Sequence, residues 1–369
     1  MQIFESVPNF SEGRRDDVID ELGAVAARYA HKLDVDADRD HNRVVVSLAG
    51  SRPRLTRALM ELIGLAVERI DLRSHTGVHP RVGAADVVPI VPLGGSTALD
   101  DCREIAHELG ERVWTELRVP VFFYGHGEER SLADIRAGRA QPSLGGPTLH
   151  PTAGAVCLGA RRALLAFNVI LYDTDIVAAR AVARSIRESG SGLRGVQALA
   201  FPLSGDRVQL SMNLFRVDET TARDVIYELE RRGISMGAHE VVGLCPAAAA
   251  SDAASGRILE GRLAAAAASA GAAALRVTGD EEHDLLAARL DAEAVALAAL
   301  EAGQDAMLAA AERSAALIRV LEAGGVRDEE LTAMLRAAAL GLVAALSDAT
   351  RALYAVRTET LERDLTNRR

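Results

Sequence analysis

The sequence predicts an α/β protein with two sheet-containing subdomains, followed by an all-α C-terminal extension. Three observations predict this organisation. Strand-like and helix-like segments alternate up to about residue 245, a loop-rich stretch at 125–155 separates two series of them, and alanine dominates from about residue 250. The predicted domain limits are 1–150, 151–255 and 256–369. The chain has 369 residues, 49% of them hydrophobic, which is enough for two or three domains.

The first series contains three amphipathic helices set between strands. The helices are predicted at 14–30, 52–70 and 97–117, because apolar residues recur there every three to four positions. Ser11 is a candidate N-cap of the first helix. Strands are predicted where apolar and β-branched residues cluster, at 2–7, 32–36, 43–49, 87–91 and 119–124.

The second series has a simpler order of elements. A strand, a helix, two strands, a helix and a strand are predicted at 162–171, 174–188, 195–202, 207–214, 219–232 and 239–244. This β-α-β-β-α-β order is that of ferredoxin-like units, and the first series has a related order with extra elements. We therefore expect two ferredoxin-like-related subdomains with mixed or antiparallel sheets, and a ligand site in the cleft between them.

The last third of the chain differs in composition from the rest. Helices are predicted at 283–323 and 328–363, broken at Gly324-Gly325, and alanine is frequent throughout. Small residues favour close helix–helix packing, so this segment is interpreted as a helical appendage or an oligomerisation element. A homodimer is the expected assembly.

Composition excludes several classes of function. A net charge of −10 argues against a protein that coats nucleic acid. No apolar run is long enough to span a membrane and no signal peptide is evident, so a cytoplasmic protein is expected. Three widely spaced cysteines form neither a disulfide framework nor a zinc pattern, and no metal is expected.

Two polar loops carry the residues best suited to chemistry. The first is VPNFSEG at 7–13, and the second is HTGVHPRVG at 75–83. Proline at position 80 restricts His79 to an extended conformation, which holds His79 and Arg81 side by side. A histidine beside an arginine suits proton transfer next to an anionic substrate group. A structural histidine in a loop would be at least as compatible with His-Pro-Arg alone.

The order of the motifs favours the chemical interpretation. VPNFSEG is followed by LDVD at 33–36, Asn42-Arg43, HPRVGAADV at 79–87 and VPVFFYG at 119–125. The second half contains GAR at 159–161, AFNV at 166–169, QLSMNL at 209–214 and VVGLCP at 241–246. This ordered set resembles the formiminotransferase domain family over about residues 2–250.

The resemblance implies transfer of a formimino group from N-formimino-L-glutamate to tetrahydrofolate as co-substrate, without a metal. His79 matches the family's catalytic histidine, and Asp36 matches an acidic position near it. His75 and His41 are alternatives to His79. The residues implied to bind substrate or folate are Asn9, Ser11, Arg43, Arg73, Arg81 and Asn213.

Two segments depart from the family's pattern. The stretches at 139–149 and 189–194 are shorter than usual, and Val78 stands where an acidic residue is common. Alternatives therefore remain open: a divergent one-carbon transferase or amidine hydrolase with a non-folate acceptor, or a non-catalytic ligand-binding protein with a helical interaction tail.

Overall fold

The computed structural model describes most of the chain up to Pro246 and a short segment beyond it. The described residues are 2–78, 80–93, 97–204, 207–217, 219–246, 257–259, 262–263 and 265–266. His79 and both predicted tail helices lie outside them. Within the described part the chain has a mixed α/β content, which confirms the predicted class.

The first subdomain contains seven strands and four α-helices. The strands are β1 (Ile3–Ser6), β2 (Asn9–Phe10), β3 (His31–Asp38), β4 (Arg43–Ser51), β5 (Ala85–Leu93), β6 (Val121–Gly125) and β7 (Val156–Ala160). The helices are α1 (Asp16–Tyr29), α2 (Arg52–Arg69), α3 (Leu99–Arg112) and α4 (Leu132–Arg136). A π-helical turn, Val113–Leu117, continues α3.

The seven strands form one mixed sheet. Strands β1 and β2 lie one after the other between β4 and β5. Both pair antiparallel with β4 and with β5. Strand β3 pairs antiparallel with β4, whereas β7 runs parallel to both β5 and β6. The residues between β1 and β2 belong to the first polar loop, so this loop lies between the two central strands.

Helices α1, α2 and α3 cover one face of this sheet because their apolar residues repeat with helical spacing. In α1 the residues at every fourth position, Val18, Leu22 and Ala26, are fully buried. They pack with the inward-facing residues of β4 and β5 in one core. This packing gives the polar loops a rigid support.

The second subdomain is a four-stranded antiparallel sheet with two helices. Its elements are β8 (Leu165–Leu171), α5 (Ile176–Ile186), β9 (Val196–Pro202), β10 (Val208–Leu214), α6 (Ala222–Arg231) and β11 (Met236–Val242), and the strand order is β11-β8-β10-β9. Both helices contribute to one core on one face of the sheet. The opposite face is more polar and turns towards the first subdomain.

Three features differ from the sequence-based expectations. The predicted strand at 2–7 is observed as β1 (Ile3–Ser6), but a further short strand that was not predicted, β2 (Asn9–Phe10), follows it in the first polar loop. Strand β7 was not predicted, and it extends the first sheet past the predicted limit at residue 150. Ser11 is not the N-cap of α1, because the helix begins later and Arg15 occupies that position.

Candidate active site

Ser11 ties the first polar loop to the end of the second. It is buried, its amide donates a hydrogen bond to the Ala84 carbonyl at 2.8 Å, and its hydroxyl donates to the Gly83 carbonyl at 2.8 Å. Asn9 lies on β2 and is half-buried, and its side-chain amide donates to the Val7 carbonyl at 3.0 Å. Both residues therefore hold the shape of the loop.

The neighbouring Glu12, and not Ser11, accepts hydrogen bonds from the backbone amides that precede α1. Its Oε1 accepts hydrogen bonds from the amides of Arg14 at 2.9 Å and Arg15 at 3.0 Å, and Oε2 pairs with the Arg15 guanidinium. Burial raises the pKa of Glu12, but these donors outweigh it and hold the pKa below its ordinary value. Glu12 is thus the anion at this helix N-terminus.

Asn42 joins the two polar loops to each other. It lies in the turn between β3 and β4 with φ of 48°, a left-handed conformation that asparagine tolerates. Its Oδ1 accepts from the Gly13 amide at 2.9 Å, and its Nδ2 donates to the Thr76 carbonyl at 2.9 Å. One side chain therefore fixes the distance between the loop at 7–13 and the loop at 75–83.

Two glycines allow this close approach. A Cβ on Gly13 would lie 2.2 Å from the Asp38 carbonyl oxygen, and one on Gly77 would lie 2.4 Å from the His41 carbonyl oxygen. Both contacts are with backbone atoms, which cannot rotate away. Any larger residue at either position would push its loop off the β3–β4 turn.

We expect Gly13→Ala to destabilise the protein by about 2 kcal/mol, because the added methyl group overlaps backbone. Gly64→Ala in α2 is the matched control, since its Cβ would meet nothing closer than 3.9 Å. Alanine there is expected to stabilise the helix by about 0.5 kcal/mol. Urea unfolding of both variants measures the difference, and equal midpoints would contradict the proposed crowding at the turn.

The arginine of the His-Pro-Arg motif is bound to the first histidine of the same loop. Arg81 Nη1 lies 2.7 Å from His75 Nε2, and this nitrogen also lies 3.0 Å from the Asn42 carbonyl oxygen. Arginine only donates, so the Arg81 contact requires an unprotonated Nε2, whereas the carbonyl contact requires a protonated one. His75 thus has two alternative partners, Arg81 in its own loop and Asn42 in the turn between β3 and β4. Burial lowers the pKa of Arg81, and the nearby Asp86 opposes that effect.

His41 is buried against Asp38. Its Nδ1 lies 2.6 Å from Asp38 Oδ2, its amide donates to Asp38 Oδ1 at 2.8 Å, and its ring meets the Phe201 ring edge-on at 5.7 Å. Burial raises the pKa of Asp38, but the His41 contacts outweigh it and lower the pKa to about 2. Because Phe201 lies on β9, this ring contact links the turn to the second subdomain.

The two subdomains enclose a cleft of about 320 Å³. Its lining comes from β3, β4, the turn between them and β11, namely Asp36, Ala37, Asp38, Arg39, Asp40, Arg43, Val45, Glu240 and Val242. Four of these residues are acidic. The cleft therefore favours a ligand with a cationic part, while its arginines provide places for anionic groups.

Asp36, which the resemblance implied for the site, lines this cleft. Its Oδ2 accepts hydrogen bonds from the Gly243 amide at 3.0 Å and from Arg257 Nη1 at 2.7 Å. Both donors follow the second sheet in the sequence, whereas Asp36 belongs to the first. The carboxylate therefore bridges the two subdomains at the wall of the cleft.

Arg43 lines both the cleft and a small cavity beside it. The cavity is also lined by Ser11, His41, Asn42, Arg81 and Asp86. The Arg43 guanidinium is largely buried and, among the described residues, its Nε has no hydrogen-bond partner. Burial lowers its pKa, while the carboxylates of Asp38 and Asp86 raise it. A buried N–H donor without a partner, on a residue that lines both a cleft and a cavity, suits an anionic substrate group.

Asp86 supports the far end of the second loop. It is buried and accepts from the amides of Val82 at 2.5 Å and Gly83 at 3.3 Å, and it pairs with Arg136 at 2.9 Å. Sequence reasoning placed Asp86 in a motif but gave it no role. The available signal for a structural role was its position within an otherwise apolar run, because a carboxylate that is buried with such neighbours needs hydrogen-bond or charge partners.

Three residues implied by the resemblance line neither the cleft nor the small cavity, namely Asn9, Arg73 and Asn213. Arg73 is exposed and pairs with Asp71 two positions earlier, at 2.6 Å. Asn213 is exposed on the open face of the second sheet, opposite Ala166, which in turn pairs with the cleft residue Val242. Asn213 thus shares the cleft-facing side of the sheet, whereas Arg73 is held in a local ion pair.

A polar row on the open face of the second sheet was not predicted as part of the site. Asn168 is buried and donates to Glu240 Oε1 at 3.2 Å, which holds Glu240 at the cleft wall. Strand alternation places these residues on the face away from α5 and α6. The sequence does show polar residues within apolar strands. Which of them share one face of the sheet is set by the pairing of the strands.

The described residues contain neither a metal-binding group of side chains nor a membrane-spanning helix. No group of three or more histidine, cysteine, aspartate or glutamate side chains is arranged there to hold a metal ion. None of the helices described is both long and apolar enough to cross a membrane.

Comparison with known proteins places the chain in a family. Residues 3–161 match the family model of the formiminotransferase domain, N-terminal subdomain. Glutamate formimidoyltransferase of Streptococcus pyogenes serotype M1 is 36% identical over 274 residues, which cover 68% of this chain and 91% of that protein. The protein of the same name from Thermoplasma acidophilum is 37% identical over 271 residues, covering 67% and 89%.

A longer relative matches the same part of the chain. Formimidoyltransferase-cyclodeaminase of Rattus norvegicus is 35% identical over 283 residues, which are 69% of this chain and 52% of that protein. The motifs, the cleft and these similarities agree: the chain belongs to the formiminotransferase family.

Proposed function

We propose that this chain is a glutamate formimidoyltransferase, which transfers the formimino group of N-formimino-L-glutamate to tetrahydrofolate in histidine degradation. The observation that carries the proposal is that Ser11, Arg43 and Arg81 line one small cavity beside the cleft that holds Asp36. The relatives named for this activity match most of their own length to this chain.

The reaction exchanges one carbon–nitrogen bond for another. A bond forms between the secondary amine of the reduced pterin and the formimino carbon, and the bond between that carbon and the glutamate nitrogen breaks. The attacking amine loses a proton and the departing nitrogen gains one. We assign this proton transfer to His79, because one histidine can accept and then return a proton near neutral pH.

The charges of the cleft suit the donor substrate. A formimino group is an amidine and is cationic when protonated, so the carboxylates of Asp36, Asp38 and Glu240 would attract it. The carboxylates of the glutamate part need cationic partners. Arg43 and Arg81 supply them at the cavity between the polar loops.

Tetrahydrofolate is proposed to lie along the open face of the second sheet. Asn213 is exposed on this face, and Glu240 and Asn168 lie on the same side. Amide and carboxylate side chains match the hydrogen-bonding edge of a pterin. No metal is needed for the proposed reaction, because the electrophile is activated by protonation.

The finer organisation of the chain is part of the proposal. The strand order β11-β8-β10-β9 supports a ferredoxin-like relation for the second subdomain, and β7 supports a boundary close to residue 160.

A homodimer held by the alanine-rich segment at 256–369 is proposed from its composition. Sedimentation of the full chain tests it, and a monomer at micromolar concentration would contradict it.

The function is tested by incubating the protein with N-formimino-L-glutamate, with and without tetrahydrofolate. We expect glutamate release and a change in pterin absorbance only when both substrates are present. Release of the formimino group without folate would identify an amidine hydrolase instead. Binding of the donor without any turnover would identify a ligand-binding protein.

A further inference from the structure

The described segment that follows the second sheet is anchored to the end of that sheet. The Cys245 amide donates to the Arg257 carbonyl at 2.8 Å, and the Leu259 amide donates to the Cys245 carbonyl at 2.9 Å. Leu259 and Leu263 are buried. Backbone pairing and apolar packing together fix the position from which the Arg257 side chain extends.

This side chain reaches across to β3 in the first subdomain. Arg257 Nη1 lies 2.7 Å from Asp36 Oδ2, 3.5 Å from Asp34 Oδ2 and 3.4 Å from the Gly243 carbonyl oxygen. Arg262, on the same segment, approaches Asp34 only to 3.9 Å. The closest of these contacts is therefore the one between Arg257 and the cleft carboxylate.

Arg257 also balances two neighbouring negative charges. Asp34 and Asp36 are two positions apart on a strand, so their side chains project to the same face. Burial raises the pKa of Asp34, Arg257 opposes that rise, and the charge of Asp36 adds to it. Without a cation between them, the two carboxylates would repel each other and turn apart.

The contacts with Gly243 and Arg257 occupy one oxygen of Asp36 and leave the other available. Oδ2 receives both the Gly243 amide and Arg257, which defines the plane of the carboxylate. Among the described residues, Oδ1 has no hydrogen-bond partner, and Asp36 lines the cleft. We propose that Arg257 is a positioning residue for formimino transfer, which holds Asp36 so that Oδ1 accepts a hydrogen bond from an N–H of the reacting substrate.

This inference rests on the proposed function, and it has a consequence for the C-terminal extension. Arg257 lies at the beginning of that extension, so the extension contributes to the cleft and is not only an appendage. The proton transfer itself stays with His79, and no proton moves to or from Arg257. The role of Arg257 is to supply fixed charge to Asp36 and, together with the Gly243 amide, to hold its Oδ2 at two donors.

The test compares Arg257→Ala and Arg257→Lys with the matched control Arg262→Ala in the full chain. We expect Arg257→Ala to lower kcat about 100-fold, because a catalytic group displaced by about 1 Å loses that much rate, while KM changes by less than about threefold. Arg257→Lys keeps the charge and should recover part of kcat. Arg262→Ala should stay within about twofold of the parent. Equal kcat losses in Arg257→Ala and Arg262→Ala would overturn the inference.

A second measurement does not depend on turnover. The Gly243 amide donates to Asp36 Oδ2, so its hydrogen exchange reports whether the carboxylate is still in place. We expect exchange in the peptide containing Gly243 to be about tenfold faster in Arg257→Ala than in Arg262→Ala. Equal exchange would overturn the positioning role. An inactive parent protein with this difference in exchange would reject the proposed function while supporting the contact.

Discussion

Replacing His79 with glutamine is expected to lower kcat for formimino transfer by a factor of about 10² to 10⁴, the usual contribution of a general acid–base group. Glutamine keeps the approximate size and a hydrogen-bond donor but cannot take up and return a proton. Donor binding depends on the arginines of the cavity, so the KM for N-formimino-L-glutamate should change much less. Steady-state kinetics with both substrates measure the two constants separately.

The matched control for this variant is His126→Gln. His126 is exposed and pairs with Asp100 outside the cleft, at 2.9 Å, so its loss should leave kcat unchanged. His75→Gln and His41→Gln test the two alternatives. A variant at either position with a larger loss of kcat than His79→Gln would transfer the proton-shuttle assignment to that histidine.

Replacing Arg43 is expected to have the largest effect on binding of the donor. Arg43 is buried between the cleft and the small cavity, and its Nε has no hydrogen-bond partner among the described residues. We expect Arg43→Gln to raise the KM for N-formimino-L-glutamate about 100-fold, because a buried charge-assisted contact is lost. The carboxylates of Asp38 and Asp86 also lose a neighbouring positive charge, so the Tm should fall.

Arg43→Lys separates these two effects. Lysine keeps the positive charge beside the carboxylates but lacks the planar fork that binds a carboxylate through two N–H groups. The Tm of this variant should lie close to that of the parent while its KM remains raised about tenfold. Arg73→Gln is the control, because Arg73 is exposed and held by Asp71. A greater rise in KM for Arg73→Gln than for Arg43→Gln would contradict the assignment.

The sequence was most informative where local pattern and local structure coincide. Helices α1 and α2 and strands β8 to β11 follow from apolar periodicity, because one buried face requires spacing of three to four residues in a helix and two in a strand. Strand β7 was missed because it is a short run directly after the glycine- and proline-rich stretch at 125–155. It becomes a strand only through parallel pairing with β5 and β6.

The same distinction applies within the site. Ser11 was a candidate both for the N-cap of the first helix and for substrate binding, yet its hydroxyl donates to the Gly83 carbonyl, a partner 72 positions away. Asn42 was noticed as part of a motif, but its function as the link between the loops depends on the turn that brings Gly13 and Thr76 together. Sequence spacing carries no information about such distant partners.

By itself, the sequence determined the α/β class, the two polar loops and, through the order of the motifs, the family. These depend on residue types and on order along the chain, which folding leaves unchanged. The tertiary structure decided which residues meet: it brings Arg43 and Asp36 to one cleft, leaves Arg73 in a local ion pair, and places Arg257 against Asp36. The cleft and the contact between Arg257 and Asp36 depend on the packing of two sheets against each other, because that packing sets distances between residues far apart in the chain.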